Sequence, residues 1–520
     1  MNKIYNIVWN ESSGMWVVTS ELTRKGGQRH RKIKKTMLAG LIAGLMLPTV
    51  PALAQVFNDE ILDYSSSMSL SAGDSAFNTT IDGGEQYVSS GGSAISTTIN
   101  DGAQIIFNGG TASTTTINGG YQDISSGGSV TNTLISGGDQ YISDGGSATN
   151  TVIDGGTQYI SSGGNAIETT IENGFQEVSN GGSATSTVIN AGFQYISSGG
   201  SATSTIINAG FQDVSSGGSA TSTTINGGFQ LISSGGSAVD TTVEEGLQTV
   251  LNGGNVSGTL ISGGEQNISS GGSAVDTTIE VGLQTVFDGG SVNGTIIDGG
   301  EQHISSGGSA INTTLDGYQT VFNGGNATGT TINGGFQDIS SGGSATSTVI
   351  NAGFQEVSSG GSATSTTINA GFQALYDSSI ASGTVINNGF QLISSGGSAI
   401  NTTIKGGFQE VSDGGRAIET TITSGWQNVL SGGVATETLI VGGVQTIYDG
   451  GSASEITINS GYQVISSGGS VTTTTIYRGG EQSITNAGLA TGTIIRGGEQ
   501  RVSSGGSAVD TTIEGGLQTV

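Results

Sequence analysis

Glutamine returns along this chain at residues 86, 104, 122, 140, 158, 176 and onward to 518, and the apolar positions keep step with it. Two residues after each glutamine stands Val, Ile or Leu, eight after stands Ala or Val, and thirteen after stands Ile, Leu or Val. The period is 18 residues, and only two spacings depart from it. From Gln302 to Gln319 it is 17, where Asp316-Gly317-Tyr318 has lost a glycine, and from Gln463 to Gln482 it is 19, where Tyr477-Arg478 adds a residue. Both changes fall in the same linker, which marks a corner loop. Apolar segments this short, rich in Thr, Ile and Val and lacking a 3.6-residue spacing, predict strands. Between them lie Ser-Ser-Gly-Gly and Asn-Gly-Gly or Asn-Ala-Gly corners, whose glycines can take the positive φ of tight turns.

Three short strands then make one turn. A turn of 18 residues cannot bury its few apolar side chains alone, so successive turns must stack and each apolar column becomes an interior ladder. The pattern predicts an all-β fold, a right-handed parallel β-helix (β-solenoid) of about 24 turns, on the order of 115 Å long at the inter-strand spacing. Alternation along a strand puts each glutamine on the inward face with the Val or Ile two positions on, and its neighbours outside. Those neighbours vary freely, as solvent-facing sites do: Glu85, Phe193 and Trp426 before the glutamine, Asp123, Tyr195, His303 and Arg501 after it. The glutamines are expected to form an internal, structural amide ladder.

The amino terminus follows another logic. A basic stretch from Arg24 to Lys35, an apolar run from Met37 to Val50 and the small-residue pattern Ala52-Leu53-Ala54 read as an export signal cleaved between Ala54 and Gln55. The apolar run is too short to span a bilayer. The expected organisation is a signal over 1–54, a cap of the rod over 55–80 and repeats over 81–520. The chain ends in mid-repeat at Gln518-Thr519-Val520.

Composition narrows the partners. The chain holds 94 glycines, two prolines and no cysteine. Beyond residue 54, 38 acidic side chains face 5 basic ones, a net charge near −33, which repels nucleic acid and anionic lipid. No Lys or Arg occurs between Thr36 and Ile404, which removes the cations that a polysaccharide lyase needs. The mature chain has one histidine, His303, at a variable outward place. Gly73-Asp74-Ser75 matches a serine-protease signature in part, but Ala76 stands where glycine is expected and no histidine precedes it in the mature chain. Outward carboxylates such as Glu177 and Asp213 fall at glycosidase-like spacing no more than many arbitrary pairs do. The Asp-Gly-Gly corners at Asp144, Asp288, Asp413 and Asp449 lack the repeated GGxGxD of calcium-binding β-rolls, so turn formation explains them. No catalytic residue, metal or cofactor is expected.

Two aromatic runs at the outward position before glutamine, Phe175, Phe193, Phe211 and Phe229, then Phe336, Phe354, Phe372, Phe390, Phe408 and Trp426, predict exposed stripes. Such a stripe can dock a partner rod or host surface, or cover the adjacent glycine corner.

Residues 1–22, with their Met1-Asn2-Lys3-Ile4-Tyr5 and Val8-Trp9-Asn10 strings, resemble the extended signal region of type V secretion. The exported repeat over 81–520, Gln-x-(Ile/Val)-Ser-Ser-Gly-Gly-Ser-Ala-Thr-Ser-Thr-x-Ile-Asn, resembles the passengers of AIDA-type self-associating autotransporter adhesins. That resemblance implies export by Sec and the outer-membrane assembly machinery, a carboxy-terminal translocator β-barrel beyond this chain, and display on a Gram-negative cell surface. It further implies self-association with biofilm formation, attachment to host cells, and O-linked heptose added by a cytoplasmic heptosyltransferase. Ser125, Ser129, Ser161, Ser183, Ser197, Ser201 and Ser215, beside the corners, are the candidate acceptors. The rival readings are a polysaccharide-processing β-helix enzyme, for which no insertion beyond one residue exists, and a Thr-array binder of carbohydrate or ice, suggested by Thr203-Ser204-Thr205.

Overall fold

The 18-residue period is carried directly into strand pairing. A computed structural model describes residues 5–10, 15–20 and 53–520. One turn of the rod consists of three strands, Phe193–Ile196, Ser201–Thr203 and Ile206–Ile207. Each lies parallel to its equivalent one turn on, Phe211–Val214, Ser219–Thr221 and Thr224–Ile225, with Gln194 opposite Gln212, Ala202 opposite Ala220 and Ile207 opposite Ile225. Repeated throughout, this gives an all-β parallel solenoid of about 26 turns.

The first turn has no glutamine to reveal it. Residues 56–70 wind at the same pitch as the repeats, Val56–Asn58 pairing with Ser75–Phe77 and Ile61–Asp63 and Ser67–Leu70 with Thr80–Ser89. Met68 takes the glutamine place opposite Gln86. The two irregular spacings leave register intact, since Gln302 still faces Gln319 and Gln463 still faces Gln482. The length changes are absorbed in the corner.

Inside, the three apolar columns are sealed from solvent along the rod, as at Ile196, Ala202 and Ile207. Ordering a backbone costs roughly 1–2 kcal/mol per residue, more than the three inward apolar side chains of one turn can offset. Stacking is therefore the source of stability.

The glycines serve two purposes, only one of which is the turn conformation expected of them. Gly199 has φ +77° and open space where a Cβ would be. Gly200 and Gly210 do not have positive φ, yet a Cβ would sit 2.2 Å from the Val178 carbonyl oxygen and 2.4 Å from Ile189 Cγ2, respectively. They are glycine because adjacent turns approach closely. Part of the left-handed conformation falls on serines instead, Ser198 at φ +50° and Ser204 at +57°.

Separately from the rod, Tyr5–Asn10 and Met15–Ser20 form an antiparallel hairpin in a compact unit of their own. The segments Arg24–Lys35 and Met37–Val50 lie outside the described residues.

Candidate functional site

The expected amide ladder is present and continuous. From Gln104 to Gln518 each Nε2 donates to the Oε1 of the glutamine one turn earlier, as Gln194 does to Gln176 at 2.6 Å and Gln284 to Gln266 at 2.7 Å. At its amino-terminal end Gln86 Nε2 donates to Met68 Sδ at 3.5 Å. A fourth buried column, missed by a reading confined to apolar positions, stands eleven residues after each glutamine. Thr205 Oγ1 donates to Gln194 Oε1 at 3.4 Å, and Thr295 to Gln284 at 3.4 Å. The signal was the near-constancy of threonine there, broken inside the rod only by Ile456. In such a turn the amide oxygen has two donors supplied by the protein, which suits a structural network.

That column also corrects the Thr-array reading. Of Thr203-Ser204-Thr205, only Thr203 and Ser204 reach solvent; Thr205 is buried, and Ser204 turns a left-handed corner. The stretch is not a flat hydroxyl face.

The corner aspartates serve turn geometry, and the histidine lies on an outward strand face. Asp74 accepts the Gln55 and Ser71 amides at 2.8 and 3.0 Å, which lowers its pKa and ties down the first corner. The four Asp-Gly-Gly aspartates all have φ between +46° and +53°. His303 lies 3.4 Å from Glu301, its neighbour across one residue on the same outward strand face. Among the described residues no three His, Asp or Glu side chains converge as metal ligands would.

The serine candidates divide by depth. Ser125, Ser161, Ser197 and Ser215, the first serine of the corner, and Ser129, Ser183 and Ser201, which begin the next strand, are all half-buried. The second corner serine is the exposed one, as at Ser126, Ser162, Ser198 and Ser216, each at φ of +48° to +50°. Sequence reasoning did not separate the two, because neighbouring serines carry no mark of which is at the apex.

The aromatic runs are also unequal. Phe175 and Phe193 stack with centroids 5.4 Å apart, but Phe193 and Phe211 are tilted by 51° at 6.1 Å. Tyr195, on the same outward face, packs flat against Phe193 at 6.2 Å and competes for its partner. In the second run the corresponding places hold no aromatic residue, and Phe336, Phe354, Phe372, Phe390 and Phe408 stack at 5.0, 4.7, 4.9 and 5.1 Å with planes within 9–14°. They wall an open groove of about 820 Å³ with Trp426 at one end and Tyr318 at the other, floored by corner residues such as Gly353, Gly371 and Gly389. The glycines of the floor cannot be replaced: a Cβ on Gly389 would meet Ile368 Cγ2 at 2.2 Å.

With this geometry in view, comparison with known proteins is informative. Residues 1–49 match the family model for the extended signal peptide of the type V secretion system. The chain is 64% identical over 92 residues to the autotransporter adhesin/invasin TibA of Escherichia coli O78:H11 (strain H10407 / ETEC), a match covering 17% of this chain and 9% of that protein. It is 67% identical over 92 residues to the autotransporter CRAC of Citrobacter rodentium (strain ICC168), covering 17% and 6%. A crystal structure of a TibC-catalysed, hyper-glycosylated fragment of TibA aligns at 45% identity over 50% of this chain and 93% of that one, with a TM-score of 0.44. The chain carries the extended signal of type V secretion, and its repeat is similar to those of autotransporter adhesins. Its matches span less than a tenth of the length of the two full-length relatives. As in autotransporters, the type V signal directs export toward the outer membrane and cell surface of a Gram-negative bacterium.

On this rod two outward aspartates work against the fold. Asp213 and Asp338 are half-buried, each has an oxygen with no hydrogen-bond partner, and burial raises both pKa values. A carboxyl whose folded pKa is raised holds its proton more tightly in the folded state, so stability falls as pH climbs from the unfolded pKa through the folded one. Asp338→Asn is therefore expected to raise the urea midpoint at neutral pH, with the gain vanishing below about pH 4. An equal gain at pH 3 and pH 7 would show that charge is not the cause.

Proposed function

We propose that this chain is the rod of a non-enzymatic surface adhesin, which joins cells to one another in aggregates and biofilm and attaches them to host surfaces through many weak contacts repeated turn after turn. The observation that carries this reading is the outer surface itself. Ser, Thr and Asn recur at the same outward places in turn after turn, and the corners never lengthen by more than one residue, so the rod offers a long periodic face in place of a pocket. Contacts of that kind sum by multivalency. The adhesin names of the similar proteins support it.

The proposal extends to O-glycosylation of corner serines, with heptose as the sugar and a cytoplasmic heptosyltransferase as the partner; the TibA fragment it resembles is itself glycosylated. Ser125, Ser129, Ser161, Ser183, Ser197, Ser201 and Ser215 remain candidates, and exposure adds Ser126, Ser162, Ser198 and Ser216 to them. Peptide mapping of the displayed rod by mass spectrometry is expected to place sugar on the exposed apex serines ahead of the half-buried ones. The reverse order would show that the transferase acts before the corner folds. Cleavage after Ala54 would convert the Gln55 amide into an α-ammonium beside Asp74, a charge-assisted contact for the first turn.

The adhesive reading is tested by settling. Cells displaying the rod on its native barrel are expected to settle faster than cells displaying the barrel alone, in a strain without heptosyltransferase. Equal settling would remove self-association by the bare polypeptide.

A further inference from the structure

The five stacked rings from Phe336 to Phe408 offer solvent something other than an apolar patch. With centroids 4.7–5.1 Å apart and planes nearly parallel, each inner ring has its faces largely covered by its neighbours. The column therefore presents ring edges to the groove, one per turn, beside a floor of glycines and small corner residues such as Ala352 and Ala370. An aromatic edge carries the positive part of the ring quadrupole, so it gives a cationic π system packing contact and no electrostatic attraction, and the preference for charge has to come from acidic side chains nearby. A sugar gains little here, because its C–H groups pack on ring faces and these are occupied. A flat conjugated molecule laid lengthwise meets several edges at once. The five rings span four inter-turn steps, roughly 19 Å.

Charge selects further. Asp316 lines the groove, and outside it, two residues beyond the phenylalanines on the outward sheet face, stand Asp338, Glu356 and Glu410, with Asp338 and Asp377 acting electrostatically on Glu356. Lys405 and Arg416 occur only toward the Trp426 end. The local field favours a cation.

We infer that the Phe336–Phe408 groove is a binding site for elongated, planar, cationic aromatic molecules, independently of any adhesive role. Thioflavin T, a flat cationic dye, is the probe. Titrated into the purified mature rod, it is expected to gain fluorescence and saturate near about one dye per chain, given the groove's length. Phe354→Thr/Phe372→Thr/Phe390→Thr keeps the fold testable, because Thr157 already occupies this position in its own turn. That variant is expected to weaken binding about ten-fold or more through lost packing contacts along the column, with an unchanged circular dichroism spectrum. The matching Phe175→Thr/Phe193→Thr/Phe211→Thr variant is expected to bind as the unaltered rod does, and Congo red, which is flat but anionic, to bind more weakly than thioflavin T. The proposal is overturned by no binding to the unaltered rod, by equal loss in both triple variants, by no loss in the first, or by Congo red binding as tightly.

Discussion

Gln284→Leu is expected to destabilise the rod by about 2–6 kcal/mol, the cost of stranding two buried hydrogen-bond donors. The substitution preserves bulk, so packing changes little. What changes is that Gln302 Nε2 loses its acceptor at 2.6 Å and Thr295 Oγ1 loses its own at 3.4 Å, while Gln266 Oε1 still receives the Thr277 hydroxyl at 3.5 Å. Urea unfolding followed by circular dichroism measures the loss. Because a solenoid is coupled only to its nearest turns, limited proteolysis should find its new cut close to residue 284. Gln284→Leu/Gln302→Leu should cost less than twice the single change, since the bond between those two turns is then absent from both sides. An unchanged midpoint for Gln284→Leu would mean that the amide column adds nothing beyond its volume.

The neighbouring glycines of one corner should respond very differently to the same small change. Gly236→Ala places a methyl 2.1 Å from the Val214 carbonyl oxygen, which accepts the Ser233 amide at 3.0 Å in the stacking ladder. We expect a loss of about 3 kcal/mol, the upper end of overpacking costs. Gly235→Ala meets nothing within 4 Å and only inherits φ +78°, so the left-handed conformation should cost it about 1–2 kcal/mol. Equal urea midpoints for the two variants would contradict the division of labour between turn geometry and close approach.

The fold was legible because its signal is redundant. Three inward columns, the glutamine spacing and the two single-residue irregularities all point to one stacked turn, and the pairing of Gln302 with Gln319 confirms where the deletion is absorbed. Threonine escaped notice because a polar residue is ordinarily assigned outside; only a buried acceptor, the Gln194 amide oxygen, makes Thr205 an interior residue. The first turn escaped because Met68 fills the glutamine site with a weak sulfur acceptor in place of an amide, which the glutamine spacing does not reveal. At the surface, sequence gave the positions of the aromatic stripes but not their order. Whether Phe193 stacks or tilts is decided by Tyr195, a neighbour whose influence depends on side-chain packing across turns.

The one-way run of amides from turn to turn also governs how such a rod can change in size. Because every glutamine from Gln104 onward hands its donor to an identical acceptor, removing or inserting a whole 18-residue unit rejoins the column without a mismatch, whereas a fractional unit must be taken up at a corner. Reach is thus adjustable in steps of roughly 4.8 Å, and recombination between near-identical repeats could set how far a cell's grip extends without redesigning the cross-section.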